Sequence, residues 1–110
     1  MAVQDLVRFE DRADGRWIML SGELDHEGCA RVGDRLREAA SAAKTARVIV
    51  DMSDVSFVAS QGLRLLLQVQ NALKNAGRTL QIGGMRPNIR RVMETTGILQ
   101  AIPEWTAPKP

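Results

Sequence analysis

Along this chain the spacing of apolar positions alternates between a period near two, the mark of strands, and a period near 3.6, the mark of helices. Residues 3–10 carry Val3, Leu6, Val7 and Phe9 among polar neighbours and read as a first strand at a sheet edge. Ala13-Asp14-Gly15 is a turn signal. Arg16–Ser21, with Trp17, Ile18, Met19 and Leu20, reads as a second strand hairpinned to the first. Asp25 is then placed to cap a helix, because its carboxylate can accept from a free backbone N–H. Cys29, Val32, Leu36, Ala39 and Ala43 follow at spacings of three and four, which defines one helix face. Arg31, Asp34, Arg35, Arg37 and Glu38 mostly fill the opposite side. Gly28 and Gly33 count against this helix, at about 1 kcal/mol each relative to alanine.

Val48-Ile49-Val50 is an unbroken β-branched run of the kind found in a central strand covered on both faces. The pattern ends this strand at Asp51 and leaves residues 51–59 as a connection. A second helix is expected from Ser60 to about Ala76, with Leu63, Leu66, Leu67 and Leu73 giving a wide apolar face and Gly77 as the C′ residue. Thr79–Ile82 reads as a further strand, stopped by Gly83-Gly84. Pro87 fits the first turn of a third helix whose inner face is Ile89, Val92, Met93 and Thr96. Ile98, Leu99, Ile102 and Trp105 are available to pack back onto the body, and Pro103, Pro108 and Pro110 mark an irregular tail. The order is β-β-α-β-α-β-α, an α/β chain. Strand–helix–strand alternation implies parallel pairs with right-handed crossovers. The opening hairpin adds an antiparallel edge, so the sheet should be mixed.

Composition narrows the functional classes. With 110 residues the chain fits one domain. A net charge of +2 predicts no strong field for nucleic acid or for a membrane surface. Cys29 is the only cysteine, so it can form no internal disulfide and no cysteine-based metal site by itself. No apolar run approaches the roughly 20 residues that span a bilayer, and the start of the chain lacks a signal-peptide pattern. These features lead to the expectation of a cytoplasmic protein with no membrane insertion and no direct nucleic-acid contact.

Candidate chemistry concentrates in Val48–Leu67, VIVDMSDVSFVASQGLRLLL. A central strand, a loop and then Ser60 opening a leucine-rich helix place a hydroxyl at a positive helix end. Read from the residues alone, Ser60 is a helix N-cap candidate, at a helix end whose free N–H groups and dipole favour negative charge. Asp51 and Asp54 have the residue type for acid–base or metal work, or for loop capping, and no third ligand type lies nearby. His26 is the only histidine, which leaves a histidine-dependent hydrolase or zinc site unsupported. Cys29 reads as a core residue on the apolar helix face. Arg64, Arg86, Arg90 and Arg91 are either a basic rim for an acidic partner or a solvated helix surface. Gly83-Gly84 lacks the rest of a nucleotide motif. No nucleophile–base pair can be assembled, so an enzyme is not expected and no cofactor is implied.

The same stretch resembles the STAS domain, found in anti-sigma factor antagonists and in the cytoplasmic tails of sulphate transporters. The family pattern is a strand ending in Asp, then Asp-Ser-Ser/Thr-Gly-Leu, then a helix. Ala59-Ser60-Gln61-Gly62-Leu63 stands in that place. Gly22-Glu23-Leu24-Asp25 resembles the family's exit from the second strand, and Glu94-Thr95-Thr96-Gly97-Ile98 matches near the end. The resemblance runs in order from about residue 5 to 102 and implies a STAS-like fold over residues 3–103, helices mainly on one face of the mixed sheet, and an irregular tail at 104–110. It also implies an anti-sigma factor antagonist that binds a serine kinase anti-sigma factor, is phosphorylated on Ser60 and is restored by a phosphatase. Asp25, Asp51, Asp54, Ala59, Ser60, Gln61, Gly62 and Arg64 would form the partner-binding face. Ala59 and Gln61 depart from the family's Asp and second hydroxyl residue, which bears on kinase recognition. The alternative is a docking subunit of a lipid-transport ATPase or stress-signalling assembly, using the same loop without phosphate turnover.

Overall fold

The computed structural model describes residues 6–107. Four strands form one sheet in the spatial order β1-β2-β3-β4: β1 (Val7–Arg12), β2 (Gly15–Leu24), β3 (Arg47–Val58) and β4 (Thr79–Gly83). Helices α1 (His26–Ala42) and α2 (Ser60–Asn75) follow β2 and β3. The short α3 (Pro87–Thr95) and α4 (Ile98–Ala101) follow β4. β1 pairs antiparallel with β2, while β2–β3 and β3–β4 are parallel. The mixed sheet with β1 at its edge is the arrangement expected from the pattern. The expected first strand is shifted, since β1 starts at Val7, and Val3 lies outside the described residues.

The largest departure concerns the central strand. It does not end at Asp51. β3 continues to Val58, and β2 continues past Ser21 to Leu24, so residues read as a connection are paired strand. The ladder runs on through Ser21↔Asp54, Gly22↔Val55 and Leu24↔Val58, with register shifts between Met19 and Ser21 and between Gly22 and Glu23. Such bulges insert unpaired residues and break the period of two. The buried positions of this half are accordingly Met52, Val55 and Val58, three apart instead of two. A strand with that spacing is hidden from an alternation test. Two smaller departures follow: α4 is an additional helix, and Thr96 is exposed at the C-cap of α3, where its hydroxyl donates to the Val92 carbonyl at 2.7 Å. Ile89 and Met93 supply the buried face of α3, with Val92 half-buried.

The core lies on one side of the sheet. Ile18, Leu20, Val48, Val50, Leu80 and Ile82 meet Val32 and Leu36 of α1, Leu66 and Val69 of α2, and Ile89 and Met93 of α3 in one buried cluster. On the opposite face Trp17 and Ile49 are buried as well, although no helix among the described residues covers them. Trp105 packs against Trp17 there. Its backbone N–H donates to the Ile82 carbonyl at 2.8 Å, and its ring meets Trp17 edge-on with centroids 4.6 Å apart. Arg12 stacks on the Trp17 ring at 4.7 Å, and Glu104 is ion-paired with Arg90.

Among the described residues one charged group is buried: Arg16, on the helix side of β2. Its guanidinium donates to both carboxylate oxygens of Asp11, at 2.7 and 3.0 Å, and to the Ala39 carbonyl at 3.0 Å. It also lies 4.0 Å from the centroid of Phe9. A fork of donors satisfied in this way makes a buried cation tolerable. The hydrogen bond from Arg16 holds the Asp11 carboxyl below its ordinary range, against a smaller opposing effect of desolvation. A depressed carboxyl stabilises the fold above its unfolded value, near 3.9. That contribution is lost as pH falls through the lower folded value. The wild-type chain should therefore lose more of its urea midpoint between about pH 5 and about pH 2 than Asp11→Asn does; equal losses would show that the pair does not couple folding to protonation.

Candidate partner-binding site

The site is built where β2 and β3 end side by side. Leu24 and Val58 are register partners, and the next N–H, that of Ala59, donates to the Leu24 carbonyl at 3.0 Å. Each strand turns at once into a helix. Asp25 caps α1, its Oδ1 accepting from the Gly28 N–H at 2.7 Å, and His26 follows, exposed in the first turn. Gly28 has a reason to be in this helix despite its intrinsic cost: a Cβ there would lie 1.7 Å from the Glu23 carbonyl oxygen. Gly62 does the same for α2. A Cβ on it would lie 2.8 Å from both the Cβ and the carbonyl oxygen of Leu24. Both helix starts therefore press against one short segment, Glu23-Leu24.

Ser60 is the first residue of α2, and Ala59 holds the N-cap position with no side-chain cap. The N-cap reading of Ser60 is thus corrected: one residue further in, its hydroxyl is not engaged as a cap, and it is exposed. Gln61 is exposed beside it. Arg64 is also exposed and lies one turn on, at the i+4 position that shares a helix face with Ser60. Ala59 and Asp25 are half-buried, and Gly62 is buried, so Gly62 shapes the surface from beneath.

The two aspartates of β3 stand apart from this group. They lie on a strand, not in a loop. At ~3.3 Å per residue, Asp51 sits about 23 Å back along β3 from its end at Val58. There it pairs with Gly83 of β4 and accepts from the Ser53 N–H at 2.9 Å and from the Ser53 hydroxyl. Asp54 is exposed between the two. Among the described residues no group of three His, Cys, Asp or Glu side chains converges in a way that could hold a metal ion. The arginines do not form one rim either. Arg86, Arg64 and Arg91 are exposed, but Arg86 is held to the Ser53 carbonyl at 2.9 Å, and the half-buried Arg90 pairs with Glu104. Cys29 is half-buried on α1, not fully in the core. Desolvation and the nearby Asp25 push its thiol pKa up, against a smaller opposing effect of Arg37, which keeps the thiol protonated and poorly nucleophilic.

Sequence reasoning missed Phe57. It is 49% exposed and pairs in register with Glu23, next to the start of α2. Among the described residues only Phe9 is a comparably exposed large apolar side chain, and Arg16 stacks on that ring. Phe57 has no such cover. The available signal was an aromatic residue inside a stretch read as a connection. A cleft of about 390 Å³ opens alongside, lined by Glu23, Asp25, Arg31 and Ser56 among others.

The family model for the STAS domain described as Mlab matches residues 8–103. The chain belongs to the STAS-domain family. An anti-sigma F factor antagonist of Paenibacillus polymyxa is 23% identical to this STAS chain over 86 residues, covering 78% of the chain and 74% of that protein. The solved structure of the anti-sigma factor antagonist SpoIIAA in its unphosphorylated form superimposes with a TM-score of 0.71 at 22% identity, covering 91% of this chain and 88% of that one. The phosphorylated form of the Bacillus SpoIIAA gives 0.64 at 22% identity, covering 91% of each. These structural likenesses establish the STAS fold: one α/β domain with a four-stranded mixed sheet. No helix among the described residues is long and apolar enough to cross a membrane.

The packing at the two helix starts makes a directional prediction. In an unobstructed helix, alanine is favoured over glycine by about 1 kcal/mol. Gly33→Ala in α1 should stabilise the fold by up to that amount, because its Cβ would meet chiefly the far end of the long Arg37 side chain at 3.1 Å, which can shift by a few tenths of an ångström, and no backbone. Gly62→Ala should instead destabilise it by about 1–3 kcal/mol, because the Leu24 backbone cannot yield. Urea denaturation of both variants decides this, and a stabilised Gly62→Ala would contradict the close approach described above.

Proposed function

We propose that this STAS chain is an anti-sigma factor antagonist. In this reading it binds a serine kinase anti-sigma factor through the surface formed by Phe57, Ser60, Gln61 and Arg64, and phosphorylation of Ser60 releases it until a phosphatase restores binding. The observation that carries the reading is the state of Ser60: an exposed hydroxyl at the first position of α2, beside a helix N-terminus that no side chain caps. A phosphate on Ser60 adds about −1.5 to −2 charges at neutral pH. The uncapped N–H groups and the positive end of the helix dipole can hold that charge without refolding. What changes is the outside, where a small neutral contact becomes a bulky anion beside Phe57. The names of the relatives, antagonists of anti-sigma factors, support the same reading.

Ala59 bears on the rate of the switch. The family's usual Asp would cap the helix and set a carboxylate beside the phosphate. Alanine removes that repulsion, and it also removes a group that a kinase can recognise. The same substitution favours the second reading, a docking subunit that uses this surface without phosphate turnover. Incubation with the serine kinase encoded nearest to its gene, with ATP, followed by mass-spectrometric site mapping, separates the two. The switch predicts phosphate on Ser60 and none on Ser60→Ala, while Ser60→Ala still binds the kinase. Phosphorylation of Ser60→Ala at the parental rate would place the acceptor elsewhere.

A second prediction concerns Phe57. Removal of an exposed ring costs the fold little, whereas loss of an aromatic anchor from an interface is expensive. Phe57→Ala should keep its urea midpoint and lose at least tenfold in kinase affinity, about 1.4 kcal/mol. Phe9→Ala, at the other exposed ring, should leave kinase affinity unchanged in the same titration.

A further inference from the structure

The outer sides of α1 and α2 form a feature that the Ser60 surface does not use. Ala40 of α1 and Val69 and Leu73 of α2 are almost fully buried, yet they form the floor of an open groove of about 340 Å³ between the two helices. Ala72 and Ala76 are exposed along one wall, where small side chains let another backbone come close. Each end is bridged by an arginine. Arg37 donates to Gln68 at 2.9 Å across one end, and Arg78 donates to the Ser41 carbonyl at 3.4 Å across the other. Lys44 and Lys74 are exposed at the same end of the molecule. The acidic side chains nearby are Glu38 on the rim and Asp34, which pairs with Arg37 at 3.2 Å. The groove is thus an apolar trough between two guanidinium groups with a positive surround.

We propose that this groove is a second docking surface, and that it takes a short acidic helix of a partner protein. Two neighbouring helices with an apolar trough between them match the way an amphipathic helix packs into a groove, anchored by residues at i and i+3 or i+4. Carboxylates flanking those anchors complement Arg37 and Arg78. The groove is also separate from the switch. At ~1.5 Å per residue Ala72 lies about 18 Å along α2 from Ser60, roughly twice the screening length at physiological salt. A partner held here stays bound whether or not Ser60 carries a phosphate, so the chain would hold one partner while exchanging another. This inference does not depend on Ser60 being a phosphate acceptor.

The test uses a phage-displayed library of helical peptides of about 14 residues, roughly four turns, selected on the whole chain and counter-selected on Ala72→Glu. That substitution puts a carboxylate on an exposed helical position. The expected enriched peptides place two apolar residues on one face with Asp or Glu beside them. Made synthetically, the best of them should bind wild type at least tenfold more tightly than Ala72→Glu or Arg78→Glu, and Ser60→Asp as tightly as wild type. Amide shift changes should centre on Ala40, Val69 and Leu73. Circular dichroism and urea midpoints establish that the variants are folded. The proposal is overturned if no peptide survives counter-selection, or if the survivors lack acidic residues. It is equally overturned if wild type self-associates through this face in sedimentation, or co-sediments with vesicles rich in phosphatidylglycerol, and Ala72→Glu abolishes either behaviour.

Discussion

The carbonyl group of Leu24 is where the architecture of this domain converges. It accepts the Ala59 N–H, it lies against Gly62, and its own residue pairs in register with Val58. One residue earlier, the Glu23 carbonyl fills the space left by Gly28. Two parallel strands are thus forced to end together, and two helices are forced to start together on their ends. The first turn of α2 owes its place to this junction and not to a cap of its own. Backbone packed this closely has no soft coordinate, so the geometry of the surface above it is set by atoms that no partner touches.

The unusual length of β3 follows from the same constraint. For Val58 to reach Leu24, the strand has to continue past the end of β4, whose pairing stops at Asp51↔Gly83. The unpaired side of that extension is covered by α3, with Asn88 donating to the Ser56 carbonyl at 3.2 Å and Arg86 to that of Ser53. Bulges in the β2–β3 ladder let the extension bend while keeping Met52, Val55 and Val58 in the core. Phe57, beside Val58, then faces outward next to Ser60. The exposed aromatic ring and the exposed hydroxyl at an uncapped helix end are both placed by the length of the strand.

The two ends of α2 have different characters. Its start has polar and aromatic groups exposed above a rigid junction, whereas its far half borders an apolar groove with arginines at both ends. One helix therefore offers two surfaces of different chemistry too far apart to interact electrostatically. On the sheet face opposite the core, Trp105 packs edge-on against Trp17.

Much of this was legible in the chain itself. Asp25 as a cap, the apolar face Val32-Leu36-Ala39 and the β-branched run at 48–50 follow from local spacing and local hydrogen bonding, and they stand as read. So does the mixed sheet with its antiparallel edge, because a hairpin and strand–helix–strand crossovers leave few options. The motif around Ser60 was visible too. Sequence could not reveal that residues 52–58 are strand, because a bulge replaces the period of two by a period of three and the pairing partner lies some thirty residues away. Nor could it reveal that Ser60 stands inside the helix with Ala59 at the cap, that Asp51 is remote from it, or that Phe57 is uncovered. Those facts depend on which backbone meets which across the Leu24 junction. Local sequence decides which elements form; packing between elements far apart in the chain decides where they end and which side chains are left facing solvent.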